Sequence, residues 1–134
     1  MINNPLIDML IRMKNAQLAK HEHVLVPMSH TKFRIAEILK ESGFLVNIEK
    51  KKKKARKSEH EYILMQLKYK DGDAGISGIK VISKPSRKIY ISAKDIKPVR
   101  SGYGISILST PKGIMNSKEA KKQNLGGELL FEIW

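Results

Sequence analysis

Ile105-Ser-Ile-Leu-Ser-Thr-Pro-Lys-Gly-Ile-Met-Asn-Ser-Lys-Glu-Ala-Lys-Lys-Gln-Asn-Leu-Gly-Gly-Glu-Leu-Leu-Phe-Glu-Ile-Trp134 sets out a strand, a turn, a short helix and a second strand in thirty residues. It opens with a short apolar strand, residues 105–108, which runs into a hydroxyl turn at Ser109-Thr110. Pro111-Lys112-Gly113 carries the chain round. A short helix follows over residues 117–123, with Ser117 in a capping position. Gly126-Gly127-Glu128 reads as a turn that opens a last strand to Trp134. Upstream of this stretch the texture is the same. Residues 79–82 and 88–91 read as short strands on either side of the turn Lys84-Pro85-Ser86. This end of the chain is therefore expected to be mostly β, with one short helix.

The other half reads differently. Asn4-Pro5 is a helix start, an N-cap followed by proline at the first helical position. Leu6, Leu10 and Met13 then recur at helical spacing, and Asp8, Arg12 and Asn15 share a polar face. Residues 24–26 form a short strand. Ser29 caps a second helix that turns Ile35, Ile38 and Leu39 inward and stops at Gly43. Residues 45–68 form a hairpin with a basic segment, 50–57, at its tip. The result is an α+β chain of two small packed units: α-β-α-β-β over residues 1–70, a linker over 71–78 built on Asp71-Gly-Asp-Ala-Gly75, and a β-rich unit over 79–134.

The 134 residues carry 26 Lys and Arg against 13 Asp and Glu, a net charge of +13. That balance calls for an anionic partner, and nucleic acid is the default, because neutralised phosphates release counterions. An anionic membrane is the weaker reading, since the basic residues are spread over strands and loops rather than along one amphipathic helix. Without cysteine there is no disulfide, no thiolate zinc site and no cysteine nucleophile. Met1-Ile-Asn-Asn-Pro5 lacks the features of a secretory leader or transit peptide, so the chain is expected to stay in the compartment that makes it.

Candidate contacts each admit two readings. In the run 50–57, seven of eight residues are cationic; Lys51, Lys52, Lys53, Lys54, Arg56 and Lys57 can track phosphates, or can form a solvated hairpin tip. Base readout by this run is not expected, since lysine is a point charge. Lys84 and Tyr90 bracket a basic proline turn in which the tyrosine meets RNA or packs on the sheet. Ser109, Thr110, Lys112 and Gly113 offer hydroxyls, a cation and an open backbone to RNA, or form an ordinary strand-to-strand turn. Glu128 orients donors beside such a surface, or is a solvated strand end. Catalytic patterns fail one by one. Asp71, Asp73 and Gly75 suggest a calcium loop, but Ile76 and Ile82 stand where it needs Gly and Glu. His21 and His23 lack the spacing of a zinc helix, and Gly102-Tyr-Gly104 lacks the third glycine of a dinucleotide fingerprint. No cofactor, metal or small-molecule substrate is expected, and no enzymatic activity.

The chain resembles the bacterial form of the small-subunit ribosomal protein eight family along its whole length. The resemblance is carried by Asn4-Pro-Leu-Ile-Asp-Met-Leu-Ile-Arg-Met-Lys-Asn-Ala-Gln17, Val26-Pro-Met-Ser-His-Thr-Lys32, Leu39-Lys-Glu-Ser-Gly-Phe44, Leu67-Lys-Tyr69 and Ile82-Ser-Lys-Pro85, in order. It continues through Gly104-Ile-Ser-Ile-Leu-Ser-Thr110, Lys112-Gly-Ile-Met115, Glu119-Ala120 and Gly126-Gly-Glu128. It implies a non-catalytic component of the small ribosomal subunit, in the cytoplasm or in an organelle that encodes its own ribosomal proteins. It further implies an early, primary binder of an irregular stem in the central domain of small-subunit rRNA, lying among neighbouring ribosomal proteins. In bacteria it implies repression of the protein's own operon through an mRNA that mimics the rRNA site. By the same resemblance the RNA surface falls on Ser109, Thr110, Lys112, Gly113, Lys84 and Tyr90. Glu128, after Gly126 and Gly127, supports it, and Arg12, Asn15 and Lys32 meet backbone phosphates. Two positions depart from the family pattern. Pro111 replaces a third hydroxyl, and Ser86 replaces a turn glycine, at a cost of about 1 kcal/mol if that position needs a left-handed backbone.

Overall fold

A computed structural model describes residues 4–134 apart from Lys57, so the expected phosphate contact at Lys57 lies outside the described residues. The chain divides into two compact units, one ending at Gly75 and the other running from Ile76 to Trp134.

In the first unit, α1 (Pro5–Leu18) is started by Asn4, whose Oδ1 accepts from the backbone N–H groups of Leu6 and Ile7. α2 (His30–Glu41) is started by Ser29, whose Oγ accepts from the N–H of Lys32. It stops where Gly43 takes a left-handed backbone, φ +87°. The strands β1 (His23–Pro27), β2 (Leu45–Ala55) and β3 (Ser58–Leu67) form an antiparallel sheet in the order β1-β3-β2. The core is built from Met9, Leu10, Met13, Ile35, Ile38 and Leu39 of the helices and Val26, Ile63 and Met65 of the sheet. The basic run begins well before the tip of the hairpin and reaches the turn at Arg56. Residues 50–54 lie within β2, paired residue by residue with β3, because the two strands continue well past β1. Part of the segment expected as a linker is paired as strand. Tyr69–Lys70 (β4) and Asp73–Ala74 (β5) form a small hairpin over Asp71-Gly72, both in left-handed backbone.

In the second unit, β10 (Gly127–Ile133) is central. It pairs along one side with β8 (Ile105–Thr110), which in turn pairs with β9 (Gly113–Asn116). Along its other side it pairs first with β7 (Tyr90–Ile91), then with β6 (Ile79–Val81). The change of partner coincides with a β-bulge. Leu129 faces Leu108 and Phe131 faces Ile107, leaving Leu130 as the extra residue. The carbonyl of Leu130 accepts from the N–H groups of Ile82 and Ser83 as the chain leaves β6. β8 is buried on both faces. Ile107 lies opposite Phe131, while Leu108 packs with Ile96, Met115 and Ala120 beneath α3 (Ser117–Lys122). The cap of α3 is Asn116, whose Oδ1 accepts from Glu119 N–H at 2.8 Å. Ser117, expected as the cap, instead accepts from the buried N–H of Ser106. Ser109 and Thr110 belong to β8, so the turn comes after them, at Pro111-Lys112, and ends at Gly113 with φ +113°.

Candidate nucleic-acid interface

Strand register sets the C-terminal site. Glu128 lies directly opposite Tyr90 on one neighbour and Ser109 on the other, and Ser109 lies opposite Ile114 of β9. Directly paired residues share a face of the sheet. Tyr90, Glu128 and Ser109 therefore form one row across three strands. Tyr90 is 70% exposed. Glu128 and Ser109 are half-buried, and among the described residues neither side chain has a hydrogen-bond or ion-pair partner. A carboxylate residue thus stands between a tyrosine and a serine in register.

The two hydroxyls expected to act together are separated. Successive strand residues point to opposite faces, so Thr110 leaves the row that Ser109 joins. It is buried, and its hydroxyl donates to the carbonyl of Gly113 at 2.6 Å and accepts from Lys112 N–H at 3.2 Å. Thr110 shapes the turn that carries the exposed Lys112 and Gly113. Pro111, with no N–H, takes no part in that network.

Gly126 and Gly127 do not turn the chain, since neither has a left-handed backbone. They are small because backbones press on them. A Cβ at Gly126 would collide with the carbonyl oxygen of Ile91, and one at Gly127 with that of Ser109. The pair lets β10 enter between β7 and β8 at the level of the row.

Lys84 stands at a tight turn, where its N–H and carbonyl both bond to Arg87, at 2.9–3.0 Å. Ser86 has no left-handed backbone there, so the conditional cost of lacking glycine does not arise. A residue not singled out above holds this loop. The hydroxyl of Ser83 donates to Leu129 O at 2.6 Å and accepts from Ile89 N–H at 3.0 Å. It is buried beside the bulge and ties the Lys84 turn and the approach to Tyr90 onto β10. Its only local signal is a small hydroxyl directly before Lys-Pro.

The remaining candidates lie in the N-terminal unit. Arg12 pairs with Asp8 at 3.0 Å, one helical turn away, and donates to Leu25 O at 3.3 Å. Asn15 is exposed on the same helix. Lys32 is only 5% exposed, in contrast to an open phosphate contact. Burial pushes its ammonium below its ordinary pKa and the nearby Arg12 charge adds to this, while Asp8 opposes them. Its stem is packed, and because no buried side-chain nitrogen lacks a partner among the described residues, its head reaches solvent. Lys51, Lys52, Lys53, Lys54 and Arg56 are exposed along the β2–β3 ribbon.

Among the described residues no group of His, Asp and Glu is placed to hold a metal, and no helix is long and apolar enough to cross a membrane. Fold and surface define a strongly basic α+β protein that offers cations, an aromatic ring and free hydroxyls to a polyanion. A family model described as Ribosomal protein S8 matches residues 4–134. The small ribosomal subunit protein uS8 of Oleidesulfovibrio alaskensis is 44% identical over 134 residues, all of both chains. That of Mycoplasma mobile is 42% identical over 133 residues, 99% of this chain and 97% of the relative. That of Mycoplasmopsis pulmonis is 44% identical over 133 residues, 99% of this chain and 98% of the relative. The chain belongs to the ribosomal protein S8 family: it is a structural, RNA-binding protein of translation and not an enzyme.

Proposed function

We propose that this protein is a component of the small ribosomal subunit in the cytoplasm that binds an irregular stem in the central domain of small-subunit rRNA early in assembly. The observation that carries the reading is the row Tyr90–Glu128–Ser109, with the Ser109 hydroxyl unengaged within the protein. A-form RNA hides its major-groove edges, so proteins select unpaired bases, 2′-hydroxyls and backbone shape. Ser109 donates to or accepts from such a group, Tyr90 presents a ring, and Glu128, also without a partner in the protein, accepts from a donor such as a 2′-hydroxyl. Lys84, Lys112 and the open backbone of Gly113 meet the flanking phosphates. Gly126 and Gly127 set the spacing of the row, and Thr110 shapes the turn. Arg12, Asn15 and Lys32 contact phosphate from the N-terminal unit. Neighbouring small-subunit proteins complete the environment. Where an mRNA of the protein's own operon copies the stem, the same surface represses its translation.

The test is competition at about 0.15 M salt between the stem and a version with its irregular core closed to regular pairs. The expected preference is about a thousandfold or more. Ser109→Ala should cut that preference by about 1–3 kcal/mol and leave stability unchanged, as the hydroxyl has no partner within the protein. Equal binding of both RNAs would mean a generic basic nucleic-acid binder.

Lys32→Met should separate stability from binding. Because burial depresses the ammonium's pKa, the charge costs stability at neutral pH, and the cost fades as pH rises through the folded-state pKa. Methionine keeps the packed stem and removes the charge, so the variant should be more stable at pH 7, with the advantage shrinking as pH rises through the folded-state pKa. Its affinity for RNA should fall at the same time. A variant that loses stability and keeps its affinity would refute both roles.

A further inference from the structure

We propose that the ribbon formed by the outer halves of β2 and β3 is a second RNA-binding surface, and that only one of its faces binds: the face carrying Lys51, Lys53 and His60. The inference rests on the rRNA-binding reading and adds a directional contact to it.

The pairing register assigns the faces. Lys50 lies opposite Ile63, Lys52 opposite Glu61, and Lys54 opposite Glu59. Ile63 belongs to the core, and the Lys50 ammonium lies 4.8 Å from the ring centre of Phe33 in α2. These three lysines therefore lie on the helix side. Opposed Cβ atoms in such a pair are about 5 Å apart, so Lys52 and Lys54 each have a carboxylate directly across the strand. A phosphate approaching from this side meets two anions together with the cations.

On the other side Lys51 lies opposite Tyr62, and Lys53 opposite His60. The Lys53 ammonium stands 5.8 Å from the Tyr62 ring centre, and His60 Nε2 shares a 2.9 Å hydrogen bond with the Ser58 hydroxyl. The carboxylate on this face is Glu49, nearer the body of the unit, and it pairs with Lys51 at 3.3 Å with both side chains half exposed. An exposed pair of this kind is worth little and is readily exchanged for a phosphate. No acid is paired across from Lys51 or Lys53. β1 ends its pairing with β3 at Tyr62, with one further bond from Met28 N–H to the Glu61 carbonyl at 3.0 Å, and Lys51, Lys53 and His60 are all exposed. Alternate residues of a strand are spaced about 7 Å apart, which sets the two ammoniums in line along one RNA backbone. Point charges of this kind hold phosphates and do not read bases, so the partner is a regular duplex flank of the stem.

A different account is that β2 is an edge strand and its lysines block pairing with other chains. That account makes both faces equivalent, so the experiment compares them. The full-length double variants Lys51→Gln/Lys53→Gln and Lys52→Gln/Lys54→Gln lose the same charge. Each is titrated with the irregular stem and with a plain RNA duplex at several salt concentrations, with circular dichroism to confirm folding. Lys51→Gln/Lys53→Gln should weaken binding to both RNAs by about tenfold and lower the salt slope by about 2, whereas the other pair should change the slope by well under 1. Lys51→Arg/Lys53→Arg should restore binding. Equal losses from the two pairs would overturn the proposal in favour of bulk charge. Unchanged binding in both, with new self-association, would overturn it in favour of edge protection. A wild-type protein that fails to prefer the irregular stem would sink the rRNA reading, while the comparison of faces on plain duplex would still decide this one.

Discussion

Gly127→Ala is expected to lower stability by about 3 kcal/mol, the upper part of the usual range for overpacking, and to abolish the preference for the irregular stem. The added methyl group would occupy the place of the Ser109 carbonyl oxygen. A flexible side chain could swing aside, but this obstacle is backbone. β8 is held by hydrogen bonds to β10 on one side and β9 on the other, so it cannot retreat without breaking a ladder. The damage falls at the row itself, since Glu128 is the next residue and Ser109 is its partner. A thermal melt should show a drop of about 10 °C, and competition binding should show loss of discrimination with residual, salt-sensitive affinity. Gly126→Ala, aimed at the Ile91 carbonyl, should act in the same direction. A melt within a degree or two of wild type would mean that the strands are not in close contact at this point.

Phe131→Ala should be the most destabilising single truncation in the C-terminal unit. Phe131 is wholly buried, opposite Ile107 on β8 and Val81 on β6, so it joins three strands at the point where β10 changes neighbours. Removing a buried aromatic ring typically costs about 3–5 kcal/mol, a large share of the roughly 5–15 kcal/mol that holds a protein folded. Denaturant unfolding should show a correspondingly early midpoint, and stem binding should fall with it, because β10 carries Glu128 only while it is paired. Phe131→Leu should keep much of the stability. If the alanine variant unfolds near the wild-type midpoint, the core does not depend on this strand crossing as described.

What could be read in the sequence was mostly what neighbours decide. Asn4, Ser29 and Gly43 act within three or four residues of themselves, and they mark the helix ends found in the structure. The alternation in residues 61–67 reports one buried face, and the hairpin over 45–68 follows from it. What was hidden depended on distant partners. Ser117 looks like a cap from its own surroundings, but Asn116 is equally suited, and the pairing with Ser106, eleven residues away, assigns the roles. Gly126-Gly127 has the composition of a turn, whereas its smallness answers to Ser109 and Ile91 on other strands. Ser83 carries no motif at all, since one of its partners is forty-six residues away. The candidate site followed the same division. Ser109, Tyr90 and Glu128 were all picked out, and pairing register brings them into one row. The same register removes Thr110, because a hydroxyl one residue further along a strand belongs to the opposite face.

The bulge at Leu130 constrains how this gene can change. Losing one codon there would make the ladder with β8 regular and keep Glu128 opposite Ser109 and Phe131 opposite Ile107, but it would remove the carbonyl that receives the Ile82 and Ser83 N–H groups. The chain leaving β6, and with it the Lys84 turn, would lose that anchor on β10. Many single-letter changes in this strand leave a workable sheet, but the number of residues between Glu128 and Phe131 has no spare value. Insertions and deletions should therefore be far rarer across this short interval than in the turn at 84–87, where chain length is not tied to two neighbouring strands at once.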